Sequence, residues 1–201
     1  MKKIKVGFLS LVAAAAFAAP VHAQLPNVTP FSFEVRGGLA FPTGDFGESE
    51  EDVGQIESGI TYGANATFHF MPMLGVYAGY TRNQFGVEGL EELDVIDQGF
   101  SGGLRLTIPT PLIPIDPYVK VGVVYNTLGF KFDGEGEDEE FLDSDRSLGF
   151  EVGAGIGIGL GPKLSFTPQV TYTRYEPKYD GEADNFKVEH IRLDVGLRLR
   201  L

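Results

Sequence analysis

The sequence predicts an all-β chain, an eight-stranded antiparallel transmembrane up-and-down β-barrel, and three observations lead to this prediction. Apolar and polar residues alternate along eight segments, as expected for strands with one face on lipid and the other on a lumen. Short connections between the segments alternate with long acidic ones. Aromatic residues gather at the two ends of the apolar face, as they do at membrane interfaces.

The N-terminal segment, residues 1–23, is interpreted as a secretory signal peptide. Its basic head contains Lys2, Lys3 and Lys5, its apolar middle reads VGFLSLVAAAAFAA, and Val21-His22-Ala23 forms a cleavage site. Residues 24–201 are then expected to form a single barrel domain. No later segment has 18 consecutive apolar residues, so a membrane-spanning helix is not expected.

Charge and cysteine content exclude several classes of function. The chain has 28 acidic and 16 basic residues, a net charge of −12, and no cysteine. Such an acidic surface argues against nucleic acid as a partner. Without cysteine there is no disulfide framework, thiolate metal site or thiol nucleophile. We expect no cofactor beyond loosely bound divalent cations.

The eight alternating segments also predict the orientation of the barrel. They cover residues 31–41, 59–71, 74–85, 98–109, 117–131, 147–160, 164–176 and 187–201. Three connections, MPM, PTPLIPID and GPK, are short or proline-rich, and four, at 42–58, 86–97, 133–146 and 177–186, are longer and hold most of the acid. Bacterial barrels have short periplasmic turns and long extracellular loops, so the acidic connections are predicted to be extracellular. Pro168 interrupts the seventh segment, and a β-bulge is expected there.

Outward-facing aromatic residues are predicted to form two girdles. Tyr62, Tyr80, Tyr125 and Tyr172 fall on the loop side, and Phe33, Phe68, Phe70 and Phe166 fall on the turn side. The inward parity of the same segments is polar or small. Two girdles around an aliphatic band favour a membrane barrel over a soluble sandwich.

The stretch GFEVGAGIGIGLG at 149–161 places glycine at nearly every second position. No frame fits a G-x-G-x-x-G nucleotide loop, and each glycine would cost a helix about 1 kcal/mol relative to alanine. A strand explains the pattern, with apolar residues toward lipid and glycines toward a lumen that is only wide enough for side chains. The glycines would leave room for long inward cations.

The inward parity gathers charged residues in the predicted lumen: Glu34, Arg36, Arg105, Lys120, Glu151, Arg192, Asp194, Arg198 and Arg200. Either these side chains form a plug of salt bridges, with Glu34 next to Arg198 or Arg200, or the excess cations line a narrow anion-preferring path. Long arginines in eight-stranded barrels more often fill than conduct, so the plug is favoured.

The chain resembles the small outer-membrane β-barrel proteins of the OmpA/OmpX/OmpW kind. The resemblance covers residues 31–201 and rests on GGLAFPTGDF at 37–46, a repeated G-x-x-x-G-Y/F strand texture, and the final HIRLDVGLRLRL. It implies location in the outer membrane of a Gram-negative bacterium, insertion by the barrel-assembly machinery, and a monomer embedded in outer-membrane lipid.

Two further groups of residues are candidate binding sites near the loops. Asp133, Glu135, Glu137 and Asp138 offer oxygen ligands for Ca²⁺, although the full calcium-loop pattern is missing. The outward parity predicts a belt of cations at the loop-side rim, Arg82, Lys131, Arg146, Arg174 and Lys187, at the height of lipopolysaccharide phosphates. Within it, Lys131 is expected beside Arg146, and Arg174 beside Lys187. Simple snorkelling at the interface is the competing explanation.

These features predict a non-enzymatic protein of the outer membrane that stabilises the envelope or presents its acidic loops at the cell surface. The alternative is a narrow porin-like channel for ions or small apolar solutes. An enzyme acting on lipid is a distant third hypothesis. His69 and His190 are predicted at opposite ends of the barrel, and no Ser–His or Asp–His cluster is assembled around either.

Overall fold

The computed structural model describes residues 30–47, 55–108, 110, 115–132, 141–177 and 187–201. The predicted signal peptide at 1–23 and the four Ca²⁺ candidates, Asp133, Glu135, Glu137 and Asp138, lie outside these ranges. The described residues form one short 3₁₀ helix, η1 (Gly44–Phe46), and ten strands: β1 (Phe31–Thr43), β2 (Gly59–His69), β3 (Leu74–Val87), β4 (Leu90–Thr107), β5 (Ile115–Phe132), β6 (Phe141–Asp143), β7 (Ser147–Gly159), β8 (Leu164–Phe166), β9 (Gln169–Tyr175) and β10 (Val188–Arg200). Within this part of the chain no helix is long and apolar enough to cross a membrane.

The strands close into an antiparallel ring, which confirms the predicted eight-stranded barrel. Both β6 and β7 pair with β5, while β8 and β9 lie end to end between β7 and β10, so ten segments build eight wall strands. β1 closes the ring by pairing with β10 from Ser32↔Arg200 to Thr43↔Glu189. Closure removes the sheet edges, whose unpaired N–H and C=O groups could not be solvated in hydrocarbon.

Burial alternates along the wall with the predicted parity. On β1, Phe31, Phe33 and Val35 are exposed, whereas Ser32 and Glu34 between them are buried. β10 shows the same alternation over its full length. The outward face is apolar and the inward face polar through most of the wall, the reverse of a soluble protein, as lipid requires.

The second acidic connection, predicted as a loop at 86–97, is instead a continuation of the wall. β3 runs to Val87 and β4 begins at Leu90, with only Glu88 and Gly89 between them. Gly89 has φ +80°, a value that glycine adopts without strain and that tight hairpin turns require. The prediction failed because the acidic residues hid the alternation on which the strand depends.

Pro168 is accommodated without the expected β-bulge. The register of this wall strand is the same on both sides of the proline, with Phe166↔Leu197 and Gln169↔Asp194 on β10, and with Ile158↔Phe166 and Gly155↔Gln169 on β7. The Pro168 carbonyl accepts from the Ile156 N–H at 3.1 Å. Proline has no N–H to return, so one ladder hydrogen bond is missing rather than one residue inserted.

The polarity of the wall reverses at one height near the loop side. Tyr80, Phe100 and Tyr125 pair across β3, β4 and β5 in one outward row, and all three are exposed. Two residues further toward the loops, the outward positions become Arg82 and Gln98. Above this row the wall has the polarity of a water-exposed sheet, so the row marks the outer boundary of the apolar band.

Candidate functional site

The periplasmic half of the lumen is organised around Glu34. Arg198, directly opposite on β10, donates to Glu34 Oε2 from Nε at 2.8 Å and from Nη2 at 2.6 Å. Arg36 Nη2 lies 3.3 Å from Oε1, and Arg105 Nη1 lies 3.6 Å from Oε2. The Arg105 guanidinium also stacks 3.4 Å from the centre of the Tyr118 ring. We call these five buried residues the Glu34 cluster.

The middle of the lumen is organised around Glu151. Its carboxylate accepts from Tyr77 Oη at 2.7 Å, from Lys120 Nζ at 3.3 Å and from Arg192 Nη2 at 2.9 Å. These four residues form the Glu151 cluster, and all are buried. A Cβ on Gly153 would lie 2.8 Å from Lys120 Cε, so at this position the empty glycine face makes room for a long cation, as the sequence predicted.

The two remaining predicted lumen residues lie apart from these clusters. Asp194 is buried and accepts from Gln169 Nε2 at 2.9 Å. Arg200 lies near the periplasmic end of β10, where its partly exposed side chain donates to Asp116 Oδ2 at 2.7 Å. Glu34 therefore pairs with Arg198, and Arg200 has a partner of its own at the lumen mouth.

A third polar cluster, which the sequence analysis missed, lies toward the loop side. Asp97 is fully buried and accepts from Asn126 at 2.7 Å, Asn83 at 2.8 Å and Tyr175 Oη at 2.8 Å. His190 Nδ1 lies 3.7 Å from Asp97 Oδ2. These residues form the Asp97 cluster. It was missed because Asp97 was assigned to the second loop.

The Asp97 cluster corrects the expectation that no Asp–His pair would form. It does place a carboxylate next to His190, and both side chains have no solvent exposure. His69 lies at the other end of the wall, where its backbone N–H donates to the Pro30 carbonyl, in agreement with the predicted placement of the two histidines at opposite ends. A general base must reach the proton it abstracts, and a substrate would have to open the barrel to reach His190.

Apolar side chains fill the loop-side end of the lumen. We call this group the apolar cap: Ala40, Phe46, Phe85, Val87, Val95, Val124, Leu128, Tyr175 and Val188. η1, at the start of the first extracellular connection, carries Phe46 into the cap, where its ring packs edge-on against Phe85 at 5.4 Å. The inward parity of β5 contained the signal, because it passes from Lys120 through Val124 to Leu128.

The space between the Glu151 and Asp97 clusters is small. A cavity of about 10 Å³ lies between the Glu151 and Asp97 clusters, lined by Thr81, Gly99, Ser101, Val124, Asn126, Glu151, Thr173, His190 and Arg192. That volume is close to what one water molecule needs, and the lining is polar enough to hold it.

Three of the five predicted rim cations lie between β3 and β7. Arg82 Nη1 lies 3.4 Å from Gln98 Oε1. The Arg146 guanidinium carbon lies 5.5 Å from the centre of the Phe100 ring and 5.8 Å from that of Tyr125. Lys131 is opposite Phe141 on β6 and not beside Arg146, because β6 takes the position on β5 that a direct hairpin would give to β7.

The other two rim cations lie next to acid. Arg174 is opposite Glu189 rather than Lys187, and its Nε lies 3.1 Å from Glu189 Oε1. Lys187 is half-buried immediately before β10. The predicted pairing of Arg174 with Lys187 is therefore wrong by two residues, and the register gives Arg174 an anionic neighbour.

Comparison with known proteins gives the lineage of this barrel. Residues 9–198 match the family described as outer membrane protein beta-barrel domain. The chain belongs to this family. Membership implies location in the outer membrane of Gram-negative bacteria and confirms the resemblance stated from the sequence. No curated protein matches the chain.

Solved structures of outer-membrane barrels have the same fold. Neisserial surface protein A is 17% identical with a TM-score of 0.66, and the match covers 86% of this chain and 97% of that protein. OprG from Pseudomonas aeruginosa is 17% identical with a TM-score of 0.51, covering 87% of this chain and all of that one, 100%. At such identities the likeness shows the fold alone.

The described part of this outer-membrane barrel has no group of three or more His, Asp or Glu side chains that could hold a metal ion. In each of the three interior clusters a buried carboxylate is surrounded by cations or hydrogen-bond donors. Glu34 and Glu151 meet several cations each, and Asp97 receives three hydrogen bonds. Such an arrangement favours one packed state over a mobile one, because each buried charge depends on its partners.

Replacing Asp97 by asparagine is expected to destabilise the loop-side half of the barrel by about 1.5–3 kcal/mol. The amide keeps the shape but is neutral, and its NH₂ group would face either the Asn83 donor or the Asn126 and Tyr175 donors, depending on which oxygen it replaces. Urea unfolding of the refolded protein in lipid vesicles measures the change. Gln84→Ala is the control, since that side chain donates to Asp94 only at the partly exposed outer face. Equal effects of both substitutions would contradict the prediction.

Proposed function

We propose that this protein is a non-enzymatic component of the outer membrane whose lumen is sealed and whose outer surface and extracellular loops carry its function. The observation behind the proposal is the filling of the lumen. Two clusters of buried ion pairs occupy its lower and middle parts, and the apolar cap lies above the Asp97 cluster. Together they occupy a lumen that is already narrow for an eight-stranded wall.

A conducting path would need hydrated space along the whole axis. Ions crossing the middle of the barrel would have to displace Lys120 and Arg192 from Glu151 and then pass Phe46 and Phe85, which are buried in the apolar cap. Breaking a buried ion pair costs about 3–5 kcal/mol. The plug is therefore the favoured state, and the narrow anion-preferring channel remains the alternative to be tested.

The outer surface is suited to lipopolysaccharide. The predicted belt of Arg82, Lys131, Arg146, Arg174 and Lys187 lies on the loop side of the apolar band, and phosphate groups of lipopolysaccharide are expected next to the boundary of that band. We further propose that contacts between the belt and lipopolysaccharide stabilise the envelope. The loops, rich in Asp and Glu, are further proposed to attract divalent cations loosely.

Export and assembly complete the proposal. Residues 1–23 are removed as a signal peptide, the barrel-assembly machinery inserts the chain, and the barrel is a monomer in outer-membrane lipid. N-terminal sequencing of protein extracted from outer membranes would test the first step, and a mature chain that begins before residue 24 would contradict it.

Refolded residues 24–201 in planar bilayers are expected to give no discrete conductance steps, with or without Ca²⁺. The reason is that the clusters and the apolar cap fill the lumen. A heat-modifiable band on a gel shows that the protein in the bilayer experiment is folded. Reproducible steps with anion preference from folded protein would contradict the sealed lumen and favour the channel.

A further inference from the structure

Two rim arginines converge on one place on the outer wall. The outward row Tyr80, Phe100 and Tyr125 is followed, two residues toward the loops, by Arg82 on β3 and Gln98 on β4. Arg146 precedes β7 on the far side of β5. Arg82 and Arg146 therefore approach the position above Phe100 from opposite sides.

The contacts show how each side chain is held. Arg146 is exposed, and its guanidinium lies over the Phe100 and Tyr125 rings, at 5.5 and 5.8 Å from their centres. Stacking on an aromatic face leaves the N–H edges of a guanidinium available for an anion. Arg82 reaches Gln98 Oε1 at 3.4 Å, and Tyr80 Oη donates to the same oxygen at 2.9 Å. Arg82 Nε is buried and has no hydrogen-bond partner among the described residues.

An apolar surface lies directly below the two arginines. Phe100 is 52% exposed, and Val123, opposite Gly102 on the next strand, is 59% exposed. Leu104 and Val121 continue this surface toward the periplasm. Cations above a lipid-facing apolar column suit an amphiphile with an anionic head and acyl chains, whereas a free anion would use the cations alone.

We propose that Arg82 and Arg146, with Tyr80 and Gln98, form a clamp for a phosphate on the head group of an outer-leaflet glycolipid, whose acyl chains lie along the Phe100 side of the barrel. Two guanidiniums offer paired N–H donors, the geometry that phosphate oxygens accept best. The proposal rests on the proposed contact between the belt and lipopolysaccharide. It assigns that contact to one side of the barrel instead of its whole circumference.

The opposite side of the belt provides the contrast. Arg174 has Glu189 at 3.1 Å, so its charge is already balanced. A phosphate approaching Arg174 would meet the carboxylate as well as the guanidinium. Within the belt, Arg82 and Arg146 therefore form the clamp on the β3–β7 side, whereas Arg174 of β9 is paired with Glu189 of β10.

The test compares two double variants with equal loss of charge, Arg82→Gln/Arg146→Gln and Arg174→Gln/Lys187→Gln. Wild type and both variants are refolded in phosphatidylcholine vesicles with increasing amounts of lipid A or of dephosphorylated lipid A. The measured quantity is the temperature at which half of the protein loses the heat-modifiable folded band on a gel. Lipid A is expected to raise the midpoint of the wild type. The clamp variant is expected to need at least about tenfold more lipid A for the same rise, and the control variant less than about twofold more.

The possible results separate this proposal from the proposed function. If wild type and clamp variant respond equally to lipid A, or if the control variant loses the response instead, the clamp assignment is wrong while lipopolysaccharide binding stands. If lipid A has no effect on the wild type, the proposed function itself fails. A response to dephosphorylated lipid A as strong as to lipid A excludes phosphate as the recognised group. If equimolar inorganic phosphate abolishes the lipid A response, the site binds free phosphate as readily as the phosphate of a lipid, and the proposed glycolipid clamp is wrong.

Discussion

Glu34→Gln is expected to destabilise the barrel by about 3–5 kcal/mol. Glu34 is 3% exposed and is the carboxylate that Arg36, Arg105 and Arg198 share. The amide removes the negative charge and leaves three buried guanidiniums in a lumen of low dielectric. Their mutual repulsion and lost hydrogen bonds add to the cost of keeping them from water. Urea unfolding in lipid vesicles, followed by heat-modifiability, measures the change in the free energy of unfolding.

Asp116→Asn is the matched control for this experiment. Asp116 also accepts from an arginine, Arg200, at 2.7 Å, but that pair is partly exposed at the lumen mouth. Water can solvate Arg200 after the substitution, so a change of about 0–1 kcal/mol is expected. If Glu34→Gln and Asp116→Asn proved equally mild, the Glu34 cluster would not depend on its central charge, and the lumen would have to be more hydrated than its packing indicates.

Gly103→Val is expected to prevent folding of the barrel or to destabilise it by more than about 3 kcal/mol. A Cβ on Gly103 would meet the Val121 carbonyl oxygen and the Gly122 Cα of the neighbouring strand. Both are backbone atoms, so no side chain can rotate away, and β4 and β5 would have to separate. The measurement is the yield of heat-modifiable protein after refolding into detergent micelles, and then urea unfolding of whatever folds.

The neighbouring substitution Gly102→Val is the control for Gly103→Val. Gly102 faces lipid, and a Cβ there meets only the Tyr77 carbonyl oxygen, at 3.4 Å, an ordinary contact. The added side chain is apolar and favours strands, so the change is expected to stay within about 1 kcal/mol. Normal refolding of Gly103→Val would mean that the two strands can adjust their spacing, and the close approach would then not explain the glycine.

The polarity of the inner and outer faces of the wall differs below and above the Tyr80–Phe100–Tyr125 row. Below the Tyr80–Phe100–Tyr125 row, charges lie inside and apolar residues outside. Above it, Phe85 and Leu128 lie inside together with the Asp97 cluster, and Arg82 and Gln98 lie outside. The outward face thus changes from apolar to polar where its solvent changes from lipid to water, and the inward face gains an apolar part at the same end. The apolar cap is the core of the extracellular part of the barrel, and it closes the lumen as a consequence.

Alternation alone determined much of this protein. The eight wall strands, their lipid-facing residues and the inward charges from Glu34 to Arg198 follow from a period of two, since neighbouring side chains of a strand point to opposite faces. The glycine run at 149–161 was interpretable for the same reason, because a narrow lumen admits few large side chains. The family match then placed the chain in the outer membrane.

Tertiary structure decided what alternation could not: which side chains meet. Parity shows that Arg198 and Arg200 share a face. Only the register between β1 and β10 pairs Arg198 with Glu34, and only the position of Asp116 gives Arg200 its partner. Asp97 and His190 lie far apart in the chain and meet only in the closed barrel. Arg174 faces Glu189 rather than Lys187 because the register of a hairpin depends on where its strands begin to pair. Contacts across a closed ring depend on the stagger of all its strands together, and no local pattern in the sequence encodes that stagger.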